Sequence, residues 1–169
     1  FKWPDGDVYE GEYVYGKMHG NGIYKFPNGD VYKGGFATDK RHGKGVMTYA
    51  NKDVYDGEWV RGEGQGQGVK KYHNGDVYSG KWKGGKKHGR GIMKYHNHDM
   101  YSGEWKGGEK HGKGIFEYAD GELLKSIGEW KKGKKDGVFE DVIRVSKQVV
   151  YENDEVKTKV KLESTSDIE

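Results

Sequence analysis

His19, His42, His88 and His111 are separated by 23, 46 and 23 residues, so in a chain that stacks equivalent segments they would form a row able to ladder metal ions. Gln65 and Asp136 stand at two further positions of the same column. The reading that accommodates all six is a side chain that hydrogen-bonds a loop backbone and packs against its neighbours. His96 and His98 offer two of the four ligands of a structural zinc, with no third nearby. The absence of cysteine removes disulfides, Cys-ligated zinc and Cys nucleophiles. The Gly-x-Gly pairs lead into no helix and no Gly-Lys-Ser/Thr, so no phosphate loop is predicted. Ser79, Ser102, Ser126 and Ser146 lie in no nucleophile elbow. Glu10 and Glu12 share a strand face and read as solvated carboxylates. The chain is therefore expected to be non-enzymatic, with no metal and no cofactor.

Charge is more informative. Up to Gly80 there are eleven basic and eleven acidic residues; from Lys81 to Lys135 there are fourteen basic and seven acidic; the remainder brings the chain to +3. The basic residues Lys83, Lys86, Lys87, Arg90, Lys110, Lys113, Lys131, Lys132, Lys134 and Lys135 are assigned to loops aligned along one edge of a sheet. There they would hold anionic lipid headgroups at up to about 1 kcal/mol each near a charged surface. The competing reading is that Lys at sheet edges blocks strand-to-strand association and keeps a core-poor chain soluble. Nucleic acid is not expected, because the balance is only mildly basic and the rings are committed to packing.

These residues need elements to position them, and composition selects the kind. Of 169 residues only 32% are hydrophobic, 34% are charged and 30 are Gly, with a mean hydropathy of −1.09. Such values suit a disordered chain, yet 14% aromatic residues do not. Frequent Gly disfavours helices by about 1 kcal/mol at each interior position. An all-β chain with many turns remains.

The repeat is visible directly. Tyr-x-Gly recurs at Tyr9, Tyr32, Tyr55, Tyr78 and Tyr101, each 23 residues on, and a sixth unit follows at Gly128 with two extra residues before it. Two places after the Gly stands a ring: Tyr13, Phe36, Trp59, Trp82, Trp105 and Trp130. Nine places after it stand Gly20, Gly43, Gly66, Gly89, Gly112 and Gly137. A second Gly two residues later is present in five units and lost in the sixth. Tyr9–Tyr13 and Gly22–Phe26 alternate as short strands with rings on one face. Asp5-Gly6, Asn28-Gly29, Asn74-Gly75 and Asp120-Gly121 read as tight hairpin turns between units. Asn51-Lys52 and Asn97-His98 fill the same slot, with Asn expected to take the left-handed conformation. Rings flanking each strand Gly imply an aromatic lying over the backbone there. The prediction is an elongated, twisted, single antiparallel sheet of two-strand repeats, stabilised by neighbour stacking. If the sheet curls, its ring face becomes a groove for a peptide or helix, lined by the six rings of the second column.

The pattern Y-x-G-x-W-x-x-G-x-x-H-G-x-G, with its N/D-G-D-x-Y turn, resembles the MORN repeat (membrane occupation and recognition nexus) over roughly Phe1–Gly137. The resemblance implies a scaffold that binds partner proteins and can self-associate, in cytoplasmic assemblies attached to cytoskeleton, cilium or membrane. The alternatives it implies are a phosphoinositide-binding module, or an accessory domain of a larger enzyme such as a phosphoinositide kinase or SET methyltransferase. The start at Phe1, part-way through the pattern, suggests a segment of a longer chain.

Residues 1–137 are thus expected to form six repeats, the first strand belonging in part to an upstream unit. Residues 138–163 are expected to form capping strands, because Val156, Thr158, Val160 and Leu162 alternate with lysines and Gln148–Tyr151 can pair across the turn that precedes them. A helix over Val138–Tyr151 is the weaker alternative, given its β-branched residues. Residues 164–169 read as a flexible tail.

Overall fold

The structure, a computed structural model, describes residues 1–144, 147–152 and 155–160. It contains no helix among them; the strands run in chain order as β1 (Val8–Val14), β2 (Lys17–Lys25), β3 (Val31–Ala37), β4 (Lys40–Thr48), β5 (Val54–Val60), β6 (Glu63–Lys71), β7 (Val77–Lys83), β8 (Lys86–Lys94), β9 (Met100–Lys106), β10 (Glu109–Glu117), β11 (Leu123–Lys131), β12 (Lys134–Ile143), β13 (Lys147–Glu152) and β14 (Glu155–Val160). The first twelve form one open antiparallel sheet in sequence order, two strands per repeat. β13 and β14 pair with each other as expected, with Tyr151 opposite Val156, in a two-stranded sheet separate from the first. The expected flexible tail at 164–169 lies outside the described residues.

The turns alternate in kind, and their assignment differs from the sequence reading. The two-residue hairpins lie within each unit, at Tyr15-Gly16, Thr38-Asp39, Arg61-Gly62, Gly84-Gly85, Gly107-Gly108 and Lys132-Gly133, with positive φ at both residues. That is the twist-matched geometry for joining two strands directly. The Asn-Gly segments between units belong instead to wider loops. There Phe26 N–H donates to Asp30 O (2.9 Å) and Gly29 N–H to Phe26 O (3.0 Å). The left-handed residue is the one after Asn: Gly29, Lys52, Gly75 and His98, at φ 91°, 71°, 94° and 71°. Asn keeps its ordinary conformation and accepts the amide of the Asp two residues on, as Asn51 Oδ1 does from Asp53 N–H (3.0 Å).

The Gly nine places on is a bulge. Gly11 pairs with Gly22 but Glu12 pairs with His19, which leaves Gly20 and Asn21 extra on β2; every within-unit pair from β1–β2 to β11–β12 repeats a shift near this place. Gly20 sits at φ 61° and its equivalents at 57–79°. In the first unit Glu12 Oε1 caps the bulge by accepting Asn21 N–H at 2.9 Å. The strands therefore reach through the region read as loop, and β12 carries the array past Gly137 to Ile143, across the expected boundary between repeats and cap.

The core is one tyrosine per unit laid flat on glycine. Tyr9, Tyr32, Tyr78 and Tyr101 are fully buried and Tyr55 nearly so. Under them the paired glycines make a row across eleven strands, from Gly11 and Gly22 through Gly34, Gly45, Gly57 and onward to Gly128. A methyl on Gly45 would overlap the Tyr32 ring. Each tyrosine hydroxyl donates to the carbonyl three residues on, for example Tyr9 to Glu12 O and Tyr32 to Gly35 O, both at 3.0 Å. The sixth unit breaks both columns at once. Its tyrosine position is Ser126 and its second glycine position is Phe139, whose ring covers Gly128 from the opposite strand. Phe139, within the segment expected to form capping strands, is the core ring of the last repeat.

The loop edge is stapled between units. Asp30, Asp53, Asp76 and Asp99 accept, at 2.8–2.9 Å, the backbone N–H of Ala50, His73, His96 and Ala119 in the following loop. For Asp7 of the first loop the corresponding donor, in the second loop, is Pro27, which has no N–H. Asp7 Oδ1 is accordingly buried without a partner.

Two substitutions separate these effects. Gly45→Ala forces a methyl into the Tyr32 ring and should cost about 3 kcal/mol or more, whereas Gly43→Ala, at positive φ with open space, should cost about 1–2 kcal/mol; urea melts distinguish the two. Pro27→Ala should raise stability by about 1 kcal/mol, since the amide it supplies to Asp7 outweighs the loss of proline's restraint on the unfolded chain; a thermal melt that moves downward contradicts this.

Candidate functional site

Between the buried tyrosines the second ring column completes a zigzag of edge-to-face contacts. Tyr32 meets Phe36 and Trp59 at 5.2 Å, Tyr55 meets Trp59 and Trp82 at 5.1 and 4.8 Å, and Tyr78 and Tyr101 continue the series to Trp130. Each such pair adds about 0.5–1.5 kcal/mol beyond its burial. Trp59, Trp82 and Trp105 spend their indole N–H on Gly45, Gly68 and Gly91 carbonyls at 2.9–3.1 Å. Trp130 Nε1, in the altered sixth unit, is buried without a partner.

Above this ladder lies a shallower ring row: Phe26, Tyr49, Tyr72, Tyr95 and Tyr118, all half-buried. Burial pushes the Tyr72 hydroxyl up to about 12 and raises those of Tyr49 and Tyr95. Cations complete the face. Arg41 lies 4.5 Å from the Trp59 ring centre, Lys87 4.3 Å from Trp105, Lys110 4.3 Å from Trp130 and Lys135 4.7 Å from Phe139. These four occupy one column of the repeat, shared with Met18 and Gly64. Burial, reinforced by neighbouring Lys70 and Lys110, lowers Lys87 to about 8. Burial likewise lowers Arg41 and Lys110. Among the described residues, no carboxylate oxygen comes within 4 Å of Arg41, Lys87 or Lys110.

The MORN-repeat model matches residues 9–31, 32–54, 55–77, 78–100, 101–122 and 127–138, most of the chain and in the same phase as the strand pairs. The chain belongs to the MORN-repeat family. Among solved structures, the TCP domain of SAS-4 (dCPAP) of Drosophila melanogaster, in complex with a proline-rich motif of Ana2 (dSTIL), is 15% identical with a TM-score of 0.40 over 85% of each chain. The TCP10c domain of Drosophila melanogaster Sas-4 gives the same identity and score, over 85% of this chain and 93% of its own. Likeness of that degree says nothing of what this chain binds. No curated relative matches it.

The MORN array redistributes the residues singled out from sequence. Of the six groove rings, Phe36, Trp59, Trp82, Trp105 and Trp130 are 4–7% exposed and belong to the core; only Tyr13, in the first unit, is open at 44%. They are buried because Phe36, Trp59, Trp82 and Trp105 each wedge between the tyrosines of two units and Trp130 between Tyr101 and Phe139, so the accessible repeat-column rings are those of the Tyr49 column. The basic residues do not form one loop stripe. Lys87, Lys110 and Lys135 lie on the ring face; Arg90 and Lys113 pair across strands with Glu104 and Glu129; Lys83, Lys86, Lys131, Lys132 and Lys134 stand exposed at hairpin tips. Among the described residues, no three metal-binding side chains converge.

Arg41 and Lys70 were not singled out from sequence, because they fall before the basic stretch. Lys70 Nζ lies 4.9 and 4.8 Å from the Tyr49 and Tyr72 ring centres and 3.0 Å from Asp53 Oδ2. Asp53 Oδ1 also accepts the His73 amide (2.9 Å) and faces His73 Nδ1 at 3.1 Å. Burial alone would raise the Asp53 carboxyl, but these partners hold it down at about 2. A carboxyl held below its unfolded value stabilises the fold above pH 4 and loses that contribution as the pH falls toward 2. Asp53→Asn should therefore cost on the order of 2 kcal/mol at pH 7 and much less at pH 2. Urea melts of both proteins at the two pH values check this; a pH-independent difference rules it out.

Proposed function

We propose that this MORN array is a non-enzymatic protein-interaction module that receives a segment of another protein on its ring face. One observation carries the reading: Arg41, Lys87 and Lys110 are half-buried over aromatic rings, without acidic partners among the described residues. Desolvating a cation without pairing it is unfavourable for the isolated fold. A partner supplying carboxylates and apolar surface would compensate that cost, and half-exposed Tyr49, Tyr72 and Tyr95 offer rigid aromatic contacts beside the charges. Among the described residues nothing pairs with the outer edge of β12, which offers it to a second copy.

A second reading rests on the hairpin tips. Lys83 stands directly opposite Lys86, and Lys131 opposite Lys134, with Lys132 in the turn between. Like charges directly opposite are destabilising, and an anionic membrane surface would relieve them.

A peptide-display selection separates the two when combined with vesicle flotation. Peptides enriched on the native protein should lose at least tenfold in affinity against Tyr72→Arg/Tyr95→Arg and little against Ile92→Lys on the opposite face. Equal binding to all three proteins rejects the ring face. Flotation with phosphoinositide-containing vesicles that survives physiological salt and vanishes on charge reversal of Lys83, Lys86, Lys131 and Lys134 would favour the membrane reading instead.

A further inference from the structure

The cation column that closes the ring face has one gap in its middle. Arg41, Lys87 and Lys110 each cover the tryptophan of the following unit, but repeat three has Gly64 at this position, and among the described residues no cation covers Trp82. A cavity of about 190 Å³ opens there, and its wall includes Tyr49, Tyr55, Trp82, Arg41, Lys70 and Glu63. It holds roughly the volume of six waters, about that of one large apolar side chain.

The backbone does not demand glycine at this place. Gly64 is absent from the residues of positive φ, and an added Cβ would lie 3.1 Å from the Tyr55 hydroxyl, close but within reach of a small adjustment. The contrast is Gly68 on the same strand, where a Cβ would lie 2.7–2.9 Å from the Tyr55 ring. Units two, four and five carry Arg or Lys where unit three carries Gly64. The fold thus tolerates a long side chain in this column, and the notch over Trp82 is an opening the fold does not require.

Charge decides what fits. A guest ammonium would gain about 0.5–2 kcal/mol from the Trp82 ring. It would also meet Arg41 in the cavity wall and Lys87 one repeat, about 9.5 Å, along the column, against the one carboxylate of Glu63 in the wall, Lys70 being held by Asp53. At an effective dielectric of about 20 a charge at that distance contributes near 1.7 kcal/mol, so Glu63 offsets one of the two cations, the other offsets the ring's attraction, and an ammonium gains nothing over a neutral apolar side chain. The same arithmetic favours carboxylates beside Arg41 and Lys87. We infer that the segment bound on the ring face carries one large apolar side chain that enters the notch above Trp82, flanked on both sides by acidic residues that pair with Arg41 and Lys87. This inference rests on the ring-face reading and specifies its partner. The flanking distance corresponds to about three residues of extended chain or six to seven of helix.

The test uses the full chain and two labelled peptides with Leu as anchor. One places Glu three residues to either side in an otherwise Ser/Gly background; the other is a helix-forming peptide with Glu seven residues to either side. Binding of at least one at physiological salt is expected. It should weaken at least tenfold when Leu becomes Ala, when both Glu become Gln, or when the protein carries Gly64→Arg, which refills the column with its own residue type. A thermal melt shows whether Gly64→Arg remains folded, and Lys87→Ser, at a residue outside the cavity lining, should weaken the Glu-flanked peptides while leaving the notch unchanged. Binding that Gly64→Arg leaves unchanged, but Tyr72→Arg/Tyr95→Arg abolishes, overturns the notch and leaves the ring face standing. Failure of both peptides, or preference for Lys over Glu at the flanks, overturns the inference. Competition by anionic vesicles at the same variants would assign the cations to lipid and overturn it as well.

Discussion

Everything in this sheet depends on a tyrosine ring lying flat on two glycines in adjacent strands. A single sheet ordinarily needs a second layer to bury one of its faces. Here the second layer is the sheet's own side chains, and they can lie down only where the backbone beneath has no Cβ. The glycine row running from Gly11 to Gly128 is the footprint of that arrangement. Once Tyr9, Tyr32, Tyr55, Tyr78 and Tyr101 are down, the rings of neighbouring units meet edge to face, and Phe36 and the tryptophans fill the spaces between them. The low hydrophobic content then stops being a contradiction, because a few large rings bury what many aliphatics would bury in a two-layer fold.

Each unit contacts only its neighbours, so an irregularity in one is answered locally. The sixth unit shows this. Loss of the tyrosine at Ser126 and gain of a ring at Phe139 are two departures in sequence but one exchange in space, with the aromatic supplied from β12 in place of β11. Lys135 then donates to the buried Ser126 hydroxyl at 2.7 Å, so that the oxygen exposed by the exchange is not left unpaired. The first loop shows the opposite case: Pro27 removes the amide that Asp7 would use, and nothing replaces it.

How far the sequence could be read follows from which features are periodic and local. The 23-residue spacing of Tyr-x-Gly fixes the strand pairs and their order, and the expectation of a ring over each glycine matches Tyr9 over Gly11 and Gly22. The turns were harder, because Asn-Gly suits both a two-residue hairpin and a wider loop. The deciding signal was the weaker pair at Tyr15-Gly16 and Thr38-Asp39, whose residues resemble no single consensus. Position along a strand also does not reveal depth: Trp59 and Tyr49 are both face-directed rings, yet one wedges between two buried tyrosines and the other rides above them. The cations were misplaced for a related reason. Counting charge along the chain groups Lys87 with Lys86, whereas alternation puts the first on the ring face and the second at a hairpin tip. Reading down the column Met18, Arg41, Gly64, Lys87, Lys110 and Lys135 would have separated them.

That column also bears on where a repeat protein keeps its specificity. Positions that obey the pattern are consumed by the fold: the tyrosines by glycine, the tryptophans by the tyrosines, the loop aspartates by the next loop's amide. A residue free to recognise something must therefore be a departure from the pattern that the fold does not itself answer. Ser126 and Phe139 answer each other, and Lys70, which replaces an apolar residue, is held by Asp53. Gly64 is answered by nothing: it removes a cation and leaves a cavity against Trp82, it is not demanded by backbone conformation, and Tyr55 crowds it less (3.1 Å) than it crowds Gly68 (2.7 Å). It lies midway between Arg41 and Lys87 on an otherwise closed face. The asymmetry that a single partner orientation requires therefore enters the array at repeat three.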